Sequence, residues 1–229
     1  MHFIIRRPTD YLYPHERLVE ILYGLVIALT ITSAVRVITG GGSLDINLMV
    51  TTSLGAGLSW GIIDAMLYIL VIVFQKHRYT RIAGKISSAK DEFEALATIQ
   101  EDLEDSLVGT LDAEDQKSVY QFVLHAQRRK SKASYTRQPK SIEITREDIF
   151  GAGQVFFAML LATLVVVVPL LLIQPPHLAV LASNIVAFVV LFVVGYTWAK
   201  HTNIRKTMFG ILLVTLGVVI VGISLVLGG

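Results

Sequence analysis

Asp64 is the only charged side chain in the apolar run from Leu48 to Phe74. A carboxylate at the centre of a bilayer costs about 2.5 to 3.5 kcal/mol on insertion scales, so it needs a proton, a cation or a polar partner there. That chemistry is the chemistry of transport or of a proton relay. Ser59 and Met66 lie close by in sequence. A carboxylate with a thioether in reach suits a borderline cation such as Fe²⁺ or Mn²⁺. Gly57-Leu-Ser-Trp-Gly61 precedes the acid in a GxxxG pattern, in which Gly57 and Gly61 let another helix, or a second subunit, approach closely.

A second group of candidate ligands follows the span. Ten acids fall between Asp91 and Asp115 with no intervening base. At helical spacing Glu101 and Asp105 project within about 20° of Glu94, flanked by Asp91 and Asp102, which lays a carboxylate stripe along one helix. Hard divalent cations take such oxygen ligands. The same pattern fits the solvated face of a soluble helix, and both readings stand at this point.

These residues need a membrane scaffold to position them. Hydrophobic residues make up 53% of the 229, charged residues 17%, and the mean hydropathy is +0.62. That composition excludes an ordinary soluble domain. Four stretches are long enough to cross about 30 Å of hydrocarbon: Leu48 to Phe74, Ile149 to Ile173, Leu178 to Ala199 and Met208 to Leu227. A fifth, Leu18 to Ile38, carries Glu20 and Arg36 near its ends, where they can snorkel toward the interfaces. The expected fold is all-α, with five transmembrane helices in a 2+3 arrangement around a helical insert. Residues 1–17 form an interfacial lead-in, 18–75 hold spans one and two, 76–148 the acid-rich insert, and 149–229 spans three to five.

Charge distribution sets the expected orientation. All but Arg36 of the 20 Lys and Arg residues fall on one side of a five-span layout, which puts the N-terminus and the insert in the cytoplasm and the C-terminus outside. The short chain, without targeting extensions, points to a bacterial inner membrane.

Within the insert, Phe93, Leu96, Ile99, Leu103 and Leu107 predict an amphipathic helix continuing inward from span two and stopping near Gly109. A second helix is expected over Ala113 to Lys130, through Val119, Phe122, Val123 and Ala126, with Asp112 as its N-cap. A loop over Ser131 to Ser141 follows, and Thr145 to Asp148 reads as a capping box opening span three. Pro169 is expected to kink that span, and Ser183 and Asn184 to join helices within the bundle.

No enzyme signature competes. HExxH, Walker A and nucleophile-elbow patterns are absent, cysteine is absent, and the six histidines show no ligand spacing. Gly40-Gly41-Gly42-Ser43 reads as a flexible turn. The basic run Arg128 to Lys132 has no interleaved aromatics and no reader motif, so nucleic acid is not an expected partner. The expected partners are the lipid bilayer and cations, with no permanently bound cofactor.

The chain resembles the vacuolar iron transporter family over nearly its whole length. The resemblance rests on the 2+3 layout, on Val168-Pro169-Leu170-Leu171 closing span three, on Gly195-Tyr196 before a basic turn, and on Leu216-Gly217 with Gly222 in span five. Ser59 followed by Asp64 matches the family's serine and glutamate five residues apart in span two. After Gly24 the chain reads Leu25-Val26-Ile27-Ala28, without the family's span-one acid. The resemblance implies export of Fe²⁺ or Mn²⁺ from the cytosol in exchange for protons. It implies a homodimer packed through spans one and two, and a cytoplasmic metal-binding role for the acidic stripe. The alternatives are a membrane scaffold or regulatory protein with the fold and no transport, and a carrier or channel for another cation.

Overall fold

In a computed structural model of the chain, residues 14–38, 44–104, 106–133 and 144–227 are described. Residues 1–13 of the expected N-terminal lead-in, the Gly40 to Ser43 turn, Asp105 and residues 134–141 of the expected loop lie outside them; residues 14–17 of the lead-in belong to the first helix, and residues 131–133 of the loop are helical. Seven α-helices make up the described chain: α1 Pro14–Ile38, α2 Ile46–Ser88, α3 Glu92–Leu103, α4 Ala113–Ala133, α5 Arg146–Leu172, α6 Pro176–Trp198 and α7 Lys206–Leu227. Two single-turn 3₁₀ segments, Leu107–Thr110 and Ala199–His201, complete them, and no strand occurs among the described residues. Five helices, α1, α2, α5, α6 and α7, are long and apolar enough to cross a membrane. The chain is an all-helical, multi-pass membrane protein, the architecture in which every backbone hydrogen bond can close within its own segment.

The described chain divides into two compact units, one within residues 10–68 and 147–229 and one within residues 69–146. The helix α2 contributes to both.

In the first unit, Leu25 and Leu29 of α1, Val166 of α5, Leu191 of α6 and Leu213 of α7 form a fully or nearly buried core. A second cluster joins Val35, Met49, Val167, Leu170 and Val180. Lipid tails are as apolar as leucine, so packing and hydrogen bonding, more than water exclusion, hold such helices together. The helices start where their sequences direct. Asp45 caps α2, its Oδ1 accepting from Leu48 N at 2.9 Å. Pro176 occupies the first turn of α6, where a missing N–H costs nothing. Thr32, buried on α1, is satisfied locally, its Oγ1 donating to Ala28 O at 2.9 Å.

Pro169 falls in the last turn of α5, which runs on to Leu172. The ring removes the N–H that the Val165 carbonyl would accept and crowds the preceding turn. There Ser183 Oγ, fully buried on α6, donates to Val166 O at 2.7 Å. Ser183 thus joins α6 to α5 at the turn that the proline disturbs.

The second unit differs from the sequence expectation in three ways. The first insert helix does not continue from span two: α2 ends at Ser88 and α3 begins afresh at Glu92, with Asp91 as its N-cap. It stops at Leu103 and not near Gly109, which sits in the separate 3₁₀ turn. The third difference is partial: Leu96, Ile99 and Leu103 of α3 and Val123 of α4 pack in the core as expected, but the large residues at the edge of the stripe do not. Phe93, Leu107 and Phe122 are largely exposed, while Ile99 of α3, Tyr120 and Leu124 of α4 and Ile86 of α2 form the core. The small Ala95, outside the expected stripe, joins Ile99 in the core, while Phe93 stays exposed. Burying each of Ile99 and Leu124 contributes about 1.5–3 kcal/mol.

Candidate functional site

The candidate site is built by three helices of the membrane unit. On α2, Ala56, Trp60 and Asp64 recur every four residues and so share a face. On α1, Tyr23, Ile27 and Thr30, spaced four and three apart, also share a face. Met159 of α5 closes the floor. Together these residues line a groove of about 350 Å³.

Close backbone approach makes this arrangement possible. A Cβ on Gly24 of α1 would lie 2.6 Å from Met159 O and 2.8 Å from Ala162 Cβ. A Cβ on Gly57 would lie 2.6 Å from Thr163 Oγ1, and one on Gly61 3.0 Å from the Phe156 ring. The helix α5 is therefore seated against glycines of both α1 and α2, and the GxxxG stripe of α2 is occupied by a helix of the same chain. Gly55 meets nothing within 4 Å.

Asp64 is half-buried, and its Oδ2 is inaccessible with no hydrogen-bond partner among the described residues. Thr30, across the groove, has already donated its hydroxyl to Val26 O at 2.8 Å. Its oxygen keeps lone pairs, but it offers Asp64 no proton. Tyr23 and Trp60 are each about half exposed, 50% and 48%, and stand as the groove's aromatic members. Ser53 is fully buried and its hydroxyl is also unpartnered among the described residues. It lies three turns before Asp64, about 16 Å along α2, and at eleven residues' spacing it falls on the same face.

Ser59 and Met66 are placed elsewhere. They sit about 140° and 160° around α2 from Asp64. Both are exposed on the helix surface, and neither lines the groove. The methionine that lines the groove with Asp64 is Met159, from α5. Tyr23 and Thr30 escaped the sequence reading, although a signal existed. They are the hydroxyl-bearing residues seven apart on α1, and seven residues return to the same helix face.

The acidic stripe of the insert is distributed among structural roles. Asp91 Oδ1 accepts from Glu94 N at 2.7 Å, and Glu94 Oε2 accepts from Lys90 N at 2.8 Å, a reciprocal cap on α3. Asp102 pairs with Arg78 of α2 at 2.6 Å. Glu92 lies 3.7 Å from Arg128 of α4. Glu101 is exposed, and Asp105 lies outside the described residues. Among the described residues no three acids or histidines converge as a metal site would require.

The chain matches no known protein family and no curated protein sequence. Its class therefore rests on its own helices and on the groove that Asp64 faces.

Proposed function

We propose that the protein is a membrane carrier that moves cations out of the cytosol in exchange for protons, with Asp64 as the group that takes cation and proton in turn. The observation that carries this reading is the Oδ2 of Asp64, buried without a hydrogen-bond partner among the described residues, in a groove within a membrane-length helix bundle. An ionisable residue held this way in a membrane is costly unless its charge is used. The distribution of basic residues supports a cytoplasmic N-terminus and insert, with the C-terminus outside.

Fe²⁺ or Mn²⁺ is the cargo that the family resemblance implies. A single chain supplies one carboxylate, two hydroxyl-bearing side chains and the Met159 thioether, fewer hard donors than the six or so such ions take up. A metal cargo would keep part of its water or draw ligands from a second copy, and a homodimer belongs to this reading. Asp91, Glu94 and Asp102 are not assigned a metal-collecting role, because caps and an ion pair already engage them.

The test is flux in proteoliposomes under an imposed pH gradient. Uptake of Mn²⁺ or Fe²⁺ coupled to proton movement, and abolished in Asp64→Asn, is the expected result. Flux that is absent, or indifferent to Asp64→Asn, would leave a membrane scaffold as the function.

A further inference from the structure

The walls of the Asp64 groove are mostly apolar. Apart from Asp64, its polar contributions are the Thr30 hydroxyl, whose proton is committed to Val26 O, and the polar edges of Tyr23 and Trp60. Ala56, Ile27 and Met159 make the rest apolar. An inorganic ion entering here gains one carboxylate and must keep part of its water to offset the apolar walls. An organic cation with an apolar body has no such need. Its charge meets the carboxylate, its body replaces lipid or water against the apolar walls, and the faces of Trp60 and Tyr23 attract it through their quadrupoles. The groove's volume of about 350 Å³ is that of a small-molecule site. The charge count agrees, since Asp64 is the groove's one acidic side chain and balances one positive charge.

We propose that the Asp64 groove binds an amphiphilic organic monocation, a lipophilic ammonium or phosphonium, with Asp64 as counter-ion and Trp60 and Tyr23 as aromatic walls. This rests on the reading of Asp64 as the cation-exchanging group and extends it to a second class of cargo.

The experiment is equilibrium binding of radiolabelled tetraphenylphosphonium to the detergent-purified full-length chain, with gel filtration confirming that each variant is monodisperse. Saturable binding is expected, reduced about tenfold or more in Asp64→Asn and about 2- to 30-fold in Trp60→Ala, as loss of a cation–π contact predicts. Trp60→Phe should recover most of the latter loss. Ala56→Leu, which leaves Asp64 in place and fills the groove, should block binding independently. Binding that is absent, or unchanged in both Asp64→Asn and Ala56→Leu, overturns the proposal. Asp64-dependent Mn²⁺ flux without saturable tetraphenylphosphonium binding overturns it and leaves the metal carrier intact. Saturable, Asp64-dependent binding with no cation flux of any kind upholds the site and overturns the carrier.

Discussion

Gly57 of α2 and Thr163 of α5 are in such close approach that a Cβ on the glycine would lie 2.6 Å from the threonine Oγ1 and 2.9 Å from its Cγ2. That contact seats α5 against the helix bearing Asp64 and helps place Met159 beneath the groove. Gly57→Ala should therefore destabilise the protein by about 1–3 kcal/mol through overpacking. Gly55→Ala, with nothing within 4 Å, should be neutral or stabilising by up to about 1 kcal/mol from helix propensity alone. Thermal unfolding in detergent distinguishes the two, and Thr163→Ala should relieve most of the Gly57→Ala penalty. Equal effects at the two glycines would contradict the close approach.

Asp64→Asn should separate function from fold. The Oδ2 has no hydrogen-bond partner to lose, so stability should change by no more than about 1 kcal/mol. Proton-coupled cation flux should vanish. A variant that fails to fold, judged by gel filtration and unfolding in detergent, would show instead that Asp64 is structural.

Ser183→Ala removes the interhelical donor to Val166 O, in the turn preceding Pro169. The expected cost is about 0.5–1.5 kcal/mol, the net worth of one hydrogen bond. In a Pro169→Ala background the α5 turn can tighten, so the same substitution should cost less. A double-mutant cycle in detergent measures the difference. Strict additivity would show that serine and proline act independently.

The carboxylates of the insert should behave as structural groups. Asp91→Ala should lower the stability of the second unit by about 1 kcal/mol, the usual value of an N-cap. Asp102→Ala should cost less than about 1 kcal/mol, because its partner Arg78 is 47% exposed and the pair is partly screened. Neither should alter Mn²⁺ affinity of the full-length chain in titration calorimetry. A fall in that affinity on either substitution would restore the acidic stripe as a metal site.

Much of the architecture was legible in residue order. The five spans could be read because a transmembrane helix closes its hydrogen bonds locally and needs only length and hydropathy. Asp64 stood out because its cost depends on depth in the bilayer, which the flanking sequence already sets. The insert was less legible. The amphipathic period supplied Leu96, Ile99, Leu103 and Val123 to the core, but it also included Phe93 and Phe122, which are exposed, and left out Ala95 and Leu124, which are buried, because the edge of a stripe is set by what the neighbouring helix can accommodate.

The sequence by itself determined a membrane protein with five apolar helices and one expensive carboxylate, since hydropathy, helix length and charge are properties of the chain. Only the tertiary structure decided what surrounds that carboxylate. The α5 helix, not a second subunit, fills the Gly57–Gly61 stripe; Tyr23 and Thr30 face Asp64 across the groove while Ser59 and Met66 turn away; Arg78 finds Asp102 24 residues on. Each of these depends on where helices cross, and crossing is fixed by which side chains interdigitate between segments far apart in sequence.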